Sequence, residues 1–223
     1  MKQINIILAI GNWNEQIFKK NKNKLKNFKL ASNKKEFLIL IKDFEINRIY
    51  IIHWNYKISQ KILDKYKCIS FHMTKLPYGR GGSPLQNLIL LNKKFTYLTA
   101  FETSNNMDSG NIILQKKLFL NGSALSILKR TSNLCFSIIR DLNNKKIVSH
   151  PQKGKIVNFK RRKPEMSEID FSMNCNNLYN FIRMLDAPIY NKSFINIKKY
   201  KVEFYDVKKT KGYLECKTKI FKS

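Results

Sequence analysis

Two stretches of this chain hold side chains suited to moving a proton beside a developing anion. The first is Ser70-Phe71-His72-Met73-Thr74-Lys75-Leu76-Pro77-Tyr78-Gly79-Arg80-Gly81-Gly82-Ser83-Pro84. An imidazole titrates near neutrality, so His72 can take up or release a proton under ordinary conditions. It follows a short apolar run that reads as a strand, and a side chain at the end of a parallel strand faces the crevice where open α/β sheets bind ligands. The glycines after it permit positive φ and close backbone approach, and Arg80 in that turn can pair with an anion. The second stretch is Asn105-Asn106-Met107-Asp108-Ser109-Gly110. Asp108 can orient an imidazole, favour its charged form and relay a proton through a water. Taken singly, a strand-end histidine is usually a packed or surface residue, and an aspartate in such a loop is usually a turn former.

For the two to meet, the elements that carry them must lie side by side. The first half alternates short apolar runs with helical patterns, which points to βαβ units on a parallel sheet. Strands are expected over residues 4–10, 28–31, 48–54, 68–73, 95–102 and 111–120. Helices are expected over 14–25, 33–43 with Ser32 as cap, 59–66, 84–92 and 122–143. The last shows an apolar stripe at Leu125, Leu128, Leu134, Ile138 and Ile139. If the strands before His72 and Asp108 are adjacent and parallel, both side chains reach one sheet edge. The turn-rich segment 149–155 reads as a boundary. The expected organisation is an α/β, Rossmann-like domain with a mostly parallel sheet over 1–150, then a small extension over 151–223. That extension holds a basic stretch at 159–165, a helix near 175–186 and a β-hairpin over 198–222.

The composition narrows the class. With 223 residues and 43% hydrophobic side chains the chain can bury a core, which excludes a disordered protein. No apolar run approaches the ~20 residues of a membrane helix, and the start fits a buried strand better than a signal peptide, so the expected location is cytoplasmic. Cys68, Cys135, Cys175 and Cys216 form no CxxC pair, and no metal site is expected. The formal charge of +28 admits three readings: a solvated basic surface first, steering of small anions second, nucleic-acid binding third. His150 reads as a surface residue.

His72, Thr74, Leu76, Pro77, Arg80, Gly81 and Pro84, followed by Asp108 and Gly110, resemble the paired motifs of the folate-dependent formyltransferases. The resemblance covers about residues 1–145, and the segment 159–170 is similar to the one that follows in that family. It implies a formyl donor, 10-formyltetrahydrofolate, and no metal. It implies His72 and Asp108 as catalytic residues, joined by Ser70, which stands where the family has an asparagine that donates a hydrogen bond to the formyl oxygen. It places the pterin near His53, Trp54 and Tyr56 and against the loop of Ser104, Asn106 and Met107. Thr74, Lys75, Tyr78 and Arg80 are then candidates for the acceptor side.

The short C-terminal region and the Gly-Arg-Gly-Gly-Ser-Pro turn favour the short sugar N-formyltransferases within that family. The expected acceptor is therefore the amino group of a nucleotide-linked amino sugar used in surface-polysaccharide synthesis, with no nucleic-acid or membrane partner and with the hairpin as a dimer surface. The alternatives are a methionyl-tRNA or glycinamide ribonucleotide formyltransferase, a catalytically weak RNA-binding relative, and a pterin-independent acyl or carbamoyl transferase.

Overall fold

The computed structural model describes residues 3–143 and 145–222. A six-stranded sheet is built from β1 (Gln3–Ala9), β2 (Phe28–Ala31), β3 (Glu45–Ile52), β4 (Lys67–His72), β6 (Phe95–Glu102) and β7 (Ile112–Phe119), in the order β2-β1-β3-β4-β6-β7. β1, β2, β3 and β4 pair in parallel. The helices α1 (Asn12–Lys20), α2 (Lys34–Asp43) and α3 (Gln60–Lys65) connect them. β1 and the end of β3 are apolar on both faces, as expected for parallel strands with helices above and below. On one face Ile4, Ile6, Leu8, Ile49 and Ile51 pack with Phe37 of α2.

Three local expectations change. α2 is capped by Asn33 rather than Ser32: the Asn33 side chain accepts from the Glu36 N–H, while the Ser32 N–H and hydroxyl both donate to the Glu36 carboxylate. The strand expected over 48–54 runs from Glu45 to Ile52, because His53 turns into the left-handed region at φ 47°. The first helix stops at Lys20 and a 3-10 turn, Lys22–Lys24, continues the chain.

A fourth change bears on the site. β4 and β6 are antiparallel, with His72 opposite Thr99 and Ile69 opposite Glu102. Asp108 therefore does not follow a parallel neighbour of β4. It sits in a loop that returns from the far end of an antiparallel strand.

The chain divides into two compact units. The first comprises Met1–Arg80, Tyr97–Leu118 and Lys129–Asn158, and the second Gly81–Thr96, Phe119–Leu128 and Phe159–Ser223. In the first, the long helix α5 (Ala124–Leu142) contributes Ser132, whose hydroxyl accepts from buried Trp13. Cys68 and Cys135 are buried here, and burial pushes the Cys68 thiol up to about 12.

The second unit holds α4 (Pro84–Leu90), α6 (Cys175–Met184) and an antiparallel sheet ordered β11-β10-β9, with β9 Ser193–Ile197, β10 Tyr200–Lys209 and β11 Leu214–Lys222. The hairpin expected over 198–222 is present, but β9 adds a third strand that the weak alternation around Ile195 concealed. Buried Arg183 fixes α6: its Nη1 donates to the carbonyls of Leu120 and Gly122 at 2.7 and 2.9 Å, and its Nε to Asn180. Arg162 of the basic stretch lies over the Phe181 ring and donates to the Met166 carbonyl. Cys175 is exposed and Cys216 half-buried. A separate two-stranded pairing joins β5 (Tyr78–Gly81) to β8 (Val157–Phe159), so part of the glycine-rich turn is a short strand.

Candidate active site

His72 closes β4 at the edge where β1 and β3 also end, because Ile51 lies opposite Ser70 and Leu8 opposite Ile51. The Gly79 carbonyl lies 2.7 Å from its Nε2, and the Asp108 Oδ2 lies 3.6 Å from its Nδ1. A carbonyl and a carboxylate can only accept, so the ring fills both positions when both nitrogens carry protons. The 3.6 Å gap is longer than a direct hydrogen bond and suits an ion pair that tightens on binding or closes through a water. Both side chains are largely buried, which strengthens their interaction.

The loop holding Asp108 is fixed by contacts rather than by length. Asp108 adopts φ 51°. Gly110 packs so closely on the Glu102 carbonyl that an added Cβ would lie 1.7 Å from its oxygen. Ser104, Ser109 and the Asn106 carbonyl bond one another across the loop. Ser104, Asn106 and Met107 are exposed.

Ser70 is half-buried on the same strand face as His72, two residues before it, and its hydroxyl shares a 2.8 Å hydrogen bond with the Thr103 hydroxyl. Thr103 was not marked by the motifs. It is held there because its N–H donates to the Cys68 carbonyl.

His53, Trp54 and Tyr56 follow β3 at the same sheet edge. Both His53 ring nitrogens and Trp54 Nε1 are buried with no hydrogen-bond partner, and burial lowers His53 to about 4. Trp54 packs edge-on against Phe37 and Tyr56, and Tyr56 is exposed. Unsatisfied buried polar atoms beside a strand edge are unusual, and they suit a ligand that carries its own donors and acceptors.

The four acceptor-side candidates separate. Thr74 is fully buried, and its carbonyl accepts from Thr99 at 2.6 Å, so it braces the turn. The Arg80 guanidinium donates to Gln152 Oε1 through Nε and Nη2, so it is held by the protein. Lys75 is exposed with its ammonium over the Tyr97 ring. Tyr78 is half-buried, its N–H closing a turn onto the Lys75 carbonyl. Among the described residues no three His, Cys, Asp or Glu side chains gather as a metal site, and no helix is long and apolar enough to cross a membrane.

The model for the C-terminal domain of methionyl-tRNA formyltransferase matches residues 164–221. A solved methionyl-tRNA formyltransferase from Clostridium thermocellum superposes with a TM-score of 0.91 at 35% identity, covering 99% of this chain and 100% of that one. The chain belongs to the formyltransferase family. A methionyl-tRNA formyltransferase of Clostridium perfringens is 23% identical over 194 residues, 81% of this chain and 63% of that protein. Against such curated relatives the chain spans 29% to 63% of their length.

These similarities overturn the expected acceptor. A sugar N-formyltransferase from Shewanella sp FDAARGOS_354 shares the fold at a TM-score of 0.61, but only 14% of the sequence, over 92% of this chain and 97% of that one. The nucleotide-linked amino sugar, the polysaccharide pathway and the dismissal of nucleic-acid partners fall with it. The short C-terminal region does not favour the sugar enzymes, because one helix and a three-stranded sheet are enough to match the C-terminal domain of methionyl-tRNA formyltransferase over 164–221.

Proposed function

We propose that the chain transfers the formyl group of 10-formyltetrahydrofolate to the α-amino group of methionine esterified to tRNA, in the cytoplasm. The observation that carries this reading is the end-to-end likeness to the Clostridium thermocellum structure. The family works with tetrahydrofolate derivatives, and the unpartnered polar atoms of His53 and Trp54 suit the polar edge of a pterin.

The residues divide the work as follows. The amine–carbon bond forms as the bond between carbon and the carrier nitrogen breaks, and one proton passes from the amine to that nitrogen. Protonated His72 stabilises the negative charge that develops on the formyl oxygen. Asp108 holds the ring's charge and orientation and accepts the travelling proton through a water. Ser70, fixed by Thr103, offers a hydroxyl donor from the same strand face. In this reading residues 1–150 carry the chemistry and 151–223 meet the acceptor. Over 198–222 nine lysines stand against three carboxylates, a composition suited to a phosphate backbone.

The test is an assay with 10-formyltetrahydrofolate and methionyl initiator tRNA, read as formylmethionine released by mild base. Glycinamide ribonucleotide serves as the competing acceptor. Formylmethionine formed at enzymatic rates supports the reading; formylation of glycinamide ribonucleotide alone overturns it.

A further inference from the structure

Gln152 makes contacts that its place in a turn-rich segment gave no reason to expect. Its backbone neighbourhood is pinned by a bridge in which Ile112 and His150 exchange both N–H to carbonyl bonds, at 2.8 and 3.0 Å. From there the side-chain amide reaches two loops at once. Its Nε2 donates to the carbonyls of Asp108 and Gly110 at 2.9 and 2.8 Å. Its Oε1 accepts from Arg80 Nε and Nη2 at 3.1 and 2.7 Å. Two donors and two acceptor positions are all an amide has, and here all are used.

We propose that Gln152 is a positioning residue that locks the Asp108 loop to the Arg80 turn and so fixes the carboxylate against His72. The proposal rests on the reading of His72 and Asp108 as the reacting pair. The two loops come from different parts of the chain, and each bears on one side of His72. The Arg80 turn supplies the Gly79 carbonyl at Nε2, and the other loop supplies Asp108 at Nδ1. A body that holds one loop against the other sets both distances together. Asp108 also has a left-handed backbone, a conformation that persists only where its surroundings hold it. The paired donations from Gln152 to residues 108 and 110 are such a hold. Arg80 acts in turn by fixing the rotamer of Gln152, which explains a guanidinium spent on a neutral amide.

The substitutions separate this role from simple packing. Gln152→Met keeps the length and removes all four bonds. Gln152→Glu keeps the Arg80 partner, now as an ion pair, but points an acceptor at two carbonyls. Hydrogen exchange should quicken in peptides covering 76–82 and 103–111 in both variants, with the β1 and β3 peptides unchanged. Formyl transfer should fall by about tenfold or more in kcat, with KM for methionyl-tRNA within about twofold of the parent. In an Asp108→Asn background the same changes should cost little further, because the group they position has gone. Unchanged exchange over 103–111, or fully multiplicative losses in the double variant, overturns the proposal. If Gln152→Met does not fold, Gln152→Glu carries the same comparison. The exchange measurement needs no acceptor, so it decides the role of Gln152 even if methionyl-tRNA proves not to be formylated.

Discussion

His72 is flanked by the Gly79 carbonyl and the Asp108 carboxylate, and neither can donate. A neutral imidazole would leave one of them facing a bare nitrogen. His72→Ala and Asp108→Asn are each expected to lower formyl transfer by about 100-fold or more, with melting temperatures within a few degrees of the parent. Rates near the parent's in either variant, measured as formylmethionine formed, would remove that residue from the mechanism. Asparagine is the right probe at position 108 because it tolerates left-handed backbone.

His53 offers a pH test of a different kind. Burial lowers its folded pKa from 6.5 to about 4, so the unfolded chain takes up the proton first as pH falls. The native state keeps its full advantage above about pH 6.5 and loses it between about 6.5 and 4, by up to about 3 kcal/mol. Urea unfolding at pH 7 and pH 4.5 should show this loss in the parent and a smaller one in His53→Asn. Equal slopes in the two proteins would place the titration elsewhere. At this scale His72 and Asp108 were legible because a strand end and a glycine-rich turn mark them. Gln152 and Thr103 were not. Their significance lies in contacts that cross the chain from 152 to 80 and from 103 to 70, and no local pattern encodes those.

Among the elements, apolar runs and helical periodicity located nearly every strand and helix of the first 142 residues. They did not give strand direction, since antiparallel β6 is as apolar as its parallel neighbours. The loop that brings Asp108 back to His72 follows from that reversal. The C-terminal sheet was half read, because the β9 strand alternates poorly while β10 and β11 alternate clearly. α6 depends on a buried cation, Arg183, held by the Leu120 and Gly122 carbonyls, the Asn180 side chain and the face of the Tyr179 ring. Burial lowers its pKa, though a guanidinium stays charged. Arg183→Met would leave the Leu120 and Gly122 carbonyls without that donor and is expected to cost about 2 kcal/mol. The check is chemical unfolding followed by a probe in α6. A change below about 0.5 kcal/mol would show that water replaces the guanidinium without loss.

For the whole molecule, a charge of +28 fits a solvated surface, the steering of small anions or the binding of nucleic acid. Net charge alone cannot rank those readings, because a lysine is equally exposed whichever partner it meets. The proposed methionyl-tRNA acceptor would change the ranking and makes salt the informative variable. Binding of methionyl-tRNA should weaken with ionic strength at a log–log slope steeper than about −3, as expected when several phosphates are neutralised. Replacing Lys208 and Lys222 of the C-terminal hairpin with glutamine should flatten that slope by about 1 to 2. A flat salt response in a filter-binding or fluorescence titration would remove the basic strands from acceptor binding.

The thiols have a practical consequence for such titrations. Cys68 and Cys135 are shut away, and burial raises both well above the range in which a thiolate forms near neutrality. Cys216 is raised as well and half covered, whereas Cys175 opens the helix α6 at the surface. Attack on a maleimide needs an accessible, ionised sulfur. The native chain therefore carries its own exposed attachment point for a dye, beside the lysine-rich strands and remote in sequence from His72.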